Sequence, residues 1–298
     1  MRAVGLFFVC VVLLLTSTAY SQTGRQNEAL VRYARTAVTR TEKALSDLLR
    51  FYDVGRVSPD KVREVREALA ESKILLAEAE GNQREVVAQL RFLVEQDNVA
   101  LQQSRTAAAQ GAINAAQLAM IEQEAVYRRV RLANASGDKQ AQILALGQLT
   151  ATVKISAEVN ARLFAQKRID RATLRQSQKE LAQAYYELAV VKDDKESVIK
   201  YLEILVAFNQ QELQASYGRL SPIAIADLKR VTIDLEAELA FVNGKMSEYQ
   251  KKLQTLVQLD QHAVQRSRAG SLGAYETARR QFDLADSQAR LATAKKGE

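Results

Sequence analysis

An all-α fold of antiparallel helices is predicted by three features of the sequence. Turn-formers are scarce: 12 glycines and 2 prolines in 298 residues cannot punctuate a sandwich, a barrel or an alternating strand–helix sheet. One short turn pattern recurs five times. After each recurrence, apolar residues return at steps of three and four, as along one face of a helix. An apolar content of 47% suffices for a packed chain and argues against disorder.

Residues 1–21 are read separately from the fold. Met1-Arg2 give a short positive start, Ala3–Leu15 are continuously apolar, and Ala19-Tyr20-Ser21 offers small residues for a signal peptidase. The apolar run is shorter than the ~20 residues that span a bilayer. A cleaved signal peptide over 1–21 and an exported chain over 22–298 are expected. Cys10, the only cysteine, would leave with the signal, so no disulfide or thiol chemistry is expected in the mature chain.

The formal charge is +7, but acids and bases alternate, as in Lys61-Val62-Arg63-Glu64-Val65-Arg66-Glu67. That is the pattern of a solvated helix face, and with aromatics at 6% it excludes a one-signed or stacking nucleic-acid surface.

The five turns are Gly55-Arg56-Val57-Ser58-Pro59, Gly111-Ala112-Ile113-Asn114-Ala115, Lys167-Arg168-Ile169-Asp170-Arg171, Gly218-Arg219-Leu220-Ser221-Pro222 and Gly270-Ser271-Leu272-Gly273-Ala274. Their spacings of 51–56 residues mark a repeated helical unit. The first residue suits a left-handed position closing a helix. Ser58, Asn114, Asp170 and Ser221 suit N-caps, and Pro59 and Pro222 then fall where a missing N–H costs little. Val57, Ile113, Ile169 and Leu220 are placed to staple onto Val62, Leu118, Leu174 and Ile225. The fifth copy is degenerate, with Gly273 as cap, as in a terminal repeat.

Between turns the seam Ile225, Leu228, Val231, Leu235, Leu239, Val242 predicts coiled-coil-like packing. Helices of ~48 residues would form a rod ~72 Å long. Weaker breaks follow each turn near 81, 137, 193 and 244. Continuous helix is expected at Gly81 and Gly244, where the seam runs on, and a true break at Asn134–Asp138. Val153, Ile155, Ala157, Val159, Ala161 and Leu163 alternate like a strand, yet Lys154, Glu158 and Arg162 stand at i,i+4, and helix is preferred.

Chemistry-bearing clusters are sparse. His262 is the only histidine, and no Gly-rich phosphate loop or His–Glu metal motif is present. No catalytic residues, metal or cofactor are expected, and the chain reads as a non-enzyme. Capping accounts for Gly55, Ser58, Pro59, Gly218, Ser221 and Pro222, but not for Arg56 and Arg219. These two arginines are the candidate partner contacts, each a planar fork suited to carboxylates on another surface.

The run Phe51-Tyr52-Asp53-Val54-Gly55-Arg56-Val57-Ser58, leading into Val62, Val65, Ala68 and Leu76-Ala77-Glu78-Ala79-Glu80-Gly81-Asn82, resembles the helical periplasmic domain of TolC-type outer-membrane efflux proteins. Tyr217-Gly218-Arg219-Leu220-Ser221, followed by Ile225, Leu228 and Leu235, resembles it again. The resemblance covers the helical part alone; alternating segments for barrel strands are not apparent. It implies turns that act as periplasmic tips, contact with an efflux adaptor, and a homo-oligomer, since family members are trimers. The expectation is an exported helical scaffold or interaction protein, periplasmic or outer-membrane-associated, that binds envelope proteins and no nucleic acid. The alternative is a TolC-like channel subunit.

Overall fold

The computed structural model describes residues 24–267 and 274–296. The signal-peptide reading of 1–21 and the turn near 270, with its cap Gly273, lie outside these residues.

Among the described residues there are ten helices and no strand: α1 (Gly24–Asp53), α2 (Pro59–Glu80), α3 (Gln83–Ala109), α4 (Ala115–Ser136), α5 (Lys139–Ala165), α6 (Arg171–Val191), α7 (Lys195–Ser216), α8 (Pro222–Val242), α9 (Met246–Arg266) and α10 (Ala274–Lys296). The all-α expectation holds, with helices of 21–30 residues. Long rods are replaced by helices of ~30–45 Å, because every weaker break is a turn.

Continuous helix at Gly81 and Gly244 is therefore corrected. Both glycines are left-handed, with φ 69° and 72°. Gly81 N–H donates to the Glu78 carbonyl and Asn82 N–H to that of Ala77, and the Asn82 side chain then accepts from Glu85 N–H. One helix is closed and the next opened within two residues. The seam runs through because both arms feed one cluster: Ala70, Ile74 and Ala77 of α2 meet Val86, Leu90 and Leu93 of α3.

The paired closing bonds, the second residue reaching five back and the first three back, recur at Gly55, Gly111, Lys167, Asp193 and Gly244. At two of these the left-handed residue is not glycine: Lys167 has φ 58° and Asp193 φ 56°. A Cβ in that region is strained. Replacing Lys167 by glycine is expected to stabilise the protein by about 0.5–1 kcal/mol, read as a higher urea midpoint at unchanged slope.

The turns sort into two kinds. Residues 54–58, 110–114, 166–170 and 217–221 make five-residue connections at one pole of the molecule. Residues 81–82, 137–138, 192–194 and 243–245 make shorter ones at the opposite pole. Each helix packs against its chain neighbours, and α10 also packs against α1, so the contacts run once around and close. Each core cluster sets an odd helix between two even ones: α5 between α4 and α6, α7 between α6 and α8, α9 between α8 and α10. Successive even helices also bond directly, as Arg128 to Glu67, Tyr186 to Glu238 and Arg290 to Asp234. The even helices thus form an inner circle and the odd helices an outer one.

The apolar clusters are not spread evenly along the helices. Their buried members, including Leu90, Leu93, Leu146, Leu202 and Leu253, sit from the midpoint of each helix towards the short-turn pole. From the midpoint towards the long-turn pole the interior is mixed, with buried Ser177, Asn209, Ser216 and Asp260 beside Val62, Leu101, Val206 and Val264. The alternating stretch 153–163 belongs to α5: Val153 and Ala157 are buried while Ile155 and Val159 face solvent. Its period is helical, and the alternation arises only because the outward face is also apolar.

Candidate interaction surface

All four described long turns stand at one pole, which therefore carries Arg56 and Arg219 together. In the first, Gly55 (φ 72°) closes α1, with Arg56 N–H donating to the Phe51 carbonyl at 2.9 Å. Ser58 opens α2, its Oγ accepting from Lys61 N–H at 3.3 Å with Pro59 as the first helical residue. In the second, Ser221 Oγ accepts from Ala224 N–H at 3.2 Å and Pro222 opens α8. The closure differs, however. Tyr217 is extended, Gly218 has φ 79°, and the Arg219 and Leu220 N–H groups both donate to the Ser216 carbonyl. Two turns alike in sequence thus present their arginines on different backbones.

The other caps are seated as expected. Asn114 and Gln117 form a reciprocal capping box at 2.9 and 3.0 Å. Asp170 accepts from Thr173 N–H at 2.7 Å, and that bond holds its carboxyl below the usual range. Val57, Ile113 and Ile169 are half-buried, whereas Leu220 is exposed.

Arg56 and Arg219 are both exposed, and neither forms an ion pair with a described residue. Arg56 also borders an open depression of about 620 Å³ lined by Asp47, Arg50, Phe51 and Val54. Around the same pole Tyr52, Met120, Phe164, Tyr217 and Leu220 are exposed. The four described turns of this pole contribute the cations Arg56, Lys167, Arg168 and Arg219, and one carboxylate, Asp170, already engaged as a cap. The short turns contain Lys192 and Lys245 against Asp138, Asp193 and Asp194, with no apolar residue. The two sets of turns therefore differ in charge and in apolar content, while Phe241 and Met246 are exposed on the helix ends beside the short turn 243–245.

Sequence reasoning missed the charged layer inside the rings. Arg128 on α4 bonds Asp97 on α3 at 2.6 Å and Glu67 on α2 at 2.9 Å. Lys179 on α6 bonds Glu212 on α7 at 2.9 Å, and Arg230 on α8 bonds Asp260 on α9 at 2.7 Å. A signal was present: a cation recurs every 51 residues at 128, 179 and 230. Alternating charges elsewhere hid it. On the inner circle, the Tyr186 hydroxyl donates to Glu238; burial of Tyr186 and the neighbouring Glu238 charge push the phenol well above its ordinary range.

His262 is exposed on α9. Among the described residues no group of three or more His, Cys, Asp or Glu is placed to hold a metal ion. No described helix is long and apolar enough to cross a membrane. Compared with protein-family models, curated proteins and solved structures, the chain matches none.

Proposed function

We propose that this chain is an exported, non-enzymatic scaffold or interaction protein of the cell envelope, working through its long-turn pole. What supports this is the co-location of the two Gly-Arg-x-Ser-Pro turns, whose exposed arginines the fold does not use. The rest of each turn is consumed by closing and capping helices, and the interior charges pair with one another. The partners on this reading are envelope neighbours, an efflux adaptor among them if the TolC-type resemblance of these turns reflects a shared role.

The double substitution Arg56→Ala and Arg219→Ala tests the reading. Helicity and melting temperature are expected to stay nearly constant, since both side chains are solvated. Crosslinking to envelope neighbours in native membranes is expected to fall and to lose its dependence on salt. Unchanged crosslinking would reject the pole as a protein-binding face. A drop in melting temperature of several degrees would show that the arginines serve the fold instead.

A further inference from the structure

The exposed hydrophobic side chains of the long-turn pole are distributed over all four described turns. Phe51 and Val54 belong to the first tip, Met120 lies beyond the second, Phe164 precedes the third, and Tyr217 and Leu220 sit on the fourth. Val54 is 65% exposed, Met120 70% and Tyr217 62%, well above the level at which a side chain is merely grazed by solvent. Most of these tips also carry a cation: Arg56 on the first, Lys167 and Arg168 on the third, Arg219 on the fourth. A protein partner is recognised through a contiguous apolar centre with a polar rim. Separate apolar tips interleaved with cations are the pattern for a surface that is itself apolar beneath and anionic on top.

We propose that the long-turn pole docks on an anionic lipid surface, with the tip side chains entering the headgroup layer and Arg56, Lys167, Arg168 and Arg219 contacting lipid phosphates. Charge complementarity selects this occupant over a neutral one, and the dispersal of the apolar residues selects it over a protein groove. The proposal rests on the reading that this pole is the interaction face, and it names what that face meets. It also sets an orientation. The long-turn ends of the helices face the bilayer and the short turns point away from it.

Vesicles of phosphatidylcholine alone and vesicles with about one-third phosphatidylglycerol provide the test, using the full chain in a Cys10→Ala background. An environment-sensitive fluorophore is placed at Ala112→Cys, on the second tip, or at Asn243→Cys, at the opposite pole. Both positions are exposed. The Ala112 label is expected to shift to the blue with anionic vesicles only, and the Asn243 label to stay unchanged with both. Arg56→Ala with Arg219→Ala, and Val54→Ser with Tyr217→Ser, are each expected to weaken vesicle binding about tenfold or more. Circular dichroism checks that each variant folds. Absence of binding, equal binding to neutral vesicles, or a blue shift at Asn243 would each overturn the proposal. If vesicles fail while the arginine pair still governs crosslinking to envelope proteins, the lipid assignment falls and the pole remains the interaction face. If crosslinking is indifferent to the arginines while tip-dependent vesicle binding holds, the lipid assignment stands and a protein partner at this pole is excluded.

Discussion

Replacing Arg230 by alanine is expected to cost about 3–5 kcal/mol of folding free energy, the largest effect of any single change proposed for this chain. Asp260 is 1% exposed and its Oδ1 accepts from Arg230 Nε at 2.7 Å, while its Oδ2 has no partner. Arg230 also lies 3.6 Å from Asp283 on α10. Without the guanidinium, carboxylates on α9 and α10 face each other in the interior, with Arg279 and Arg280 acting on Asp283 but no hydrogen-bond donor left for Asp260. Against a total stability of about 5–15 kcal/mol, such a loss leaves the α8–α9–α10 corner close to unfolding. Urea unfolding followed by circular dichroism gives the value. The paired change Arg230→Met with Asp260→Leu is expected to recover most of the loss, because it removes both charges and keeps volume. If the single variant unfolds within about 1 kcal/mol of the parent, the buried pair is not a structural element.

The second large effect is on the pH dependence of stability. Burial pushes the Asp97 carboxyl up to about 6, with Arg128 pulling it down and Glu67 and Glu124 adding to the rise. Burial likewise raises Glu78, Glu187, Glu238, Asp283 and Asp286, outweighing the arginines near Glu78, Glu238, Asp283 and Asp286. For each, the folded state keeps a proton that the unfolded chain has already lost. The stabilisation from that proton is complete below the ordinary carboxylate range and disappears as pH rises through the raised value. Stability is therefore expected to increase as pH falls from 7 towards 5, with Asp97 alone contributing about 1 kcal/mol over that interval. The helix caps Asp170 and Asp194 oppose this only in stronger acid, because their carboxyls are held low by bonds to Thr173 and Ser197. Urea midpoints between pH 5 and 7.5 measure the slope, and Asp97→Asn is expected to flatten it. A midpoint that rises steadily with pH would contradict the assignment.

Local chemistry made much of the fold legible. Ser58, Asn114, Asp170 and Ser221 act as caps because each needs only its own backbone and the next turn, which the sequence displays. The short turns were harder. Asp193 holds a left-handed position that glycine fills at 81, 137 and 244, and at Gly81 the seam continues across a reversal. Periodicity follows a buried face and does not register that the chain has doubled back along it. The candidate surface was legible as two arginines left over from capping. That they share a pole was not, since this depends on every intervening break being a turn. The exposed tips Met120 and Phe164 carried no sequence signal, because nothing local distinguishes an outward apolar residue from a core one.

The contact between α10 and α1 alters what kind of object the repeat array is. An open stack of helical hairpins has two end units, each needing a polar outer face to keep it from further stacking. Here the last helix finds its missing neighbour in the first, and no end unit is left to protect. Topologically the chain is a circle cut at one short-turn position. α10 ends and α1 begins at the pole where the other arms are joined by two or three residues. The cut could be moved to any other short turn and the circle would contain the same neighbours. Unfolding must break two seams before any hairpin is released, whichever hairpin goes first, and the α1–α10 seam is the least extensive of them.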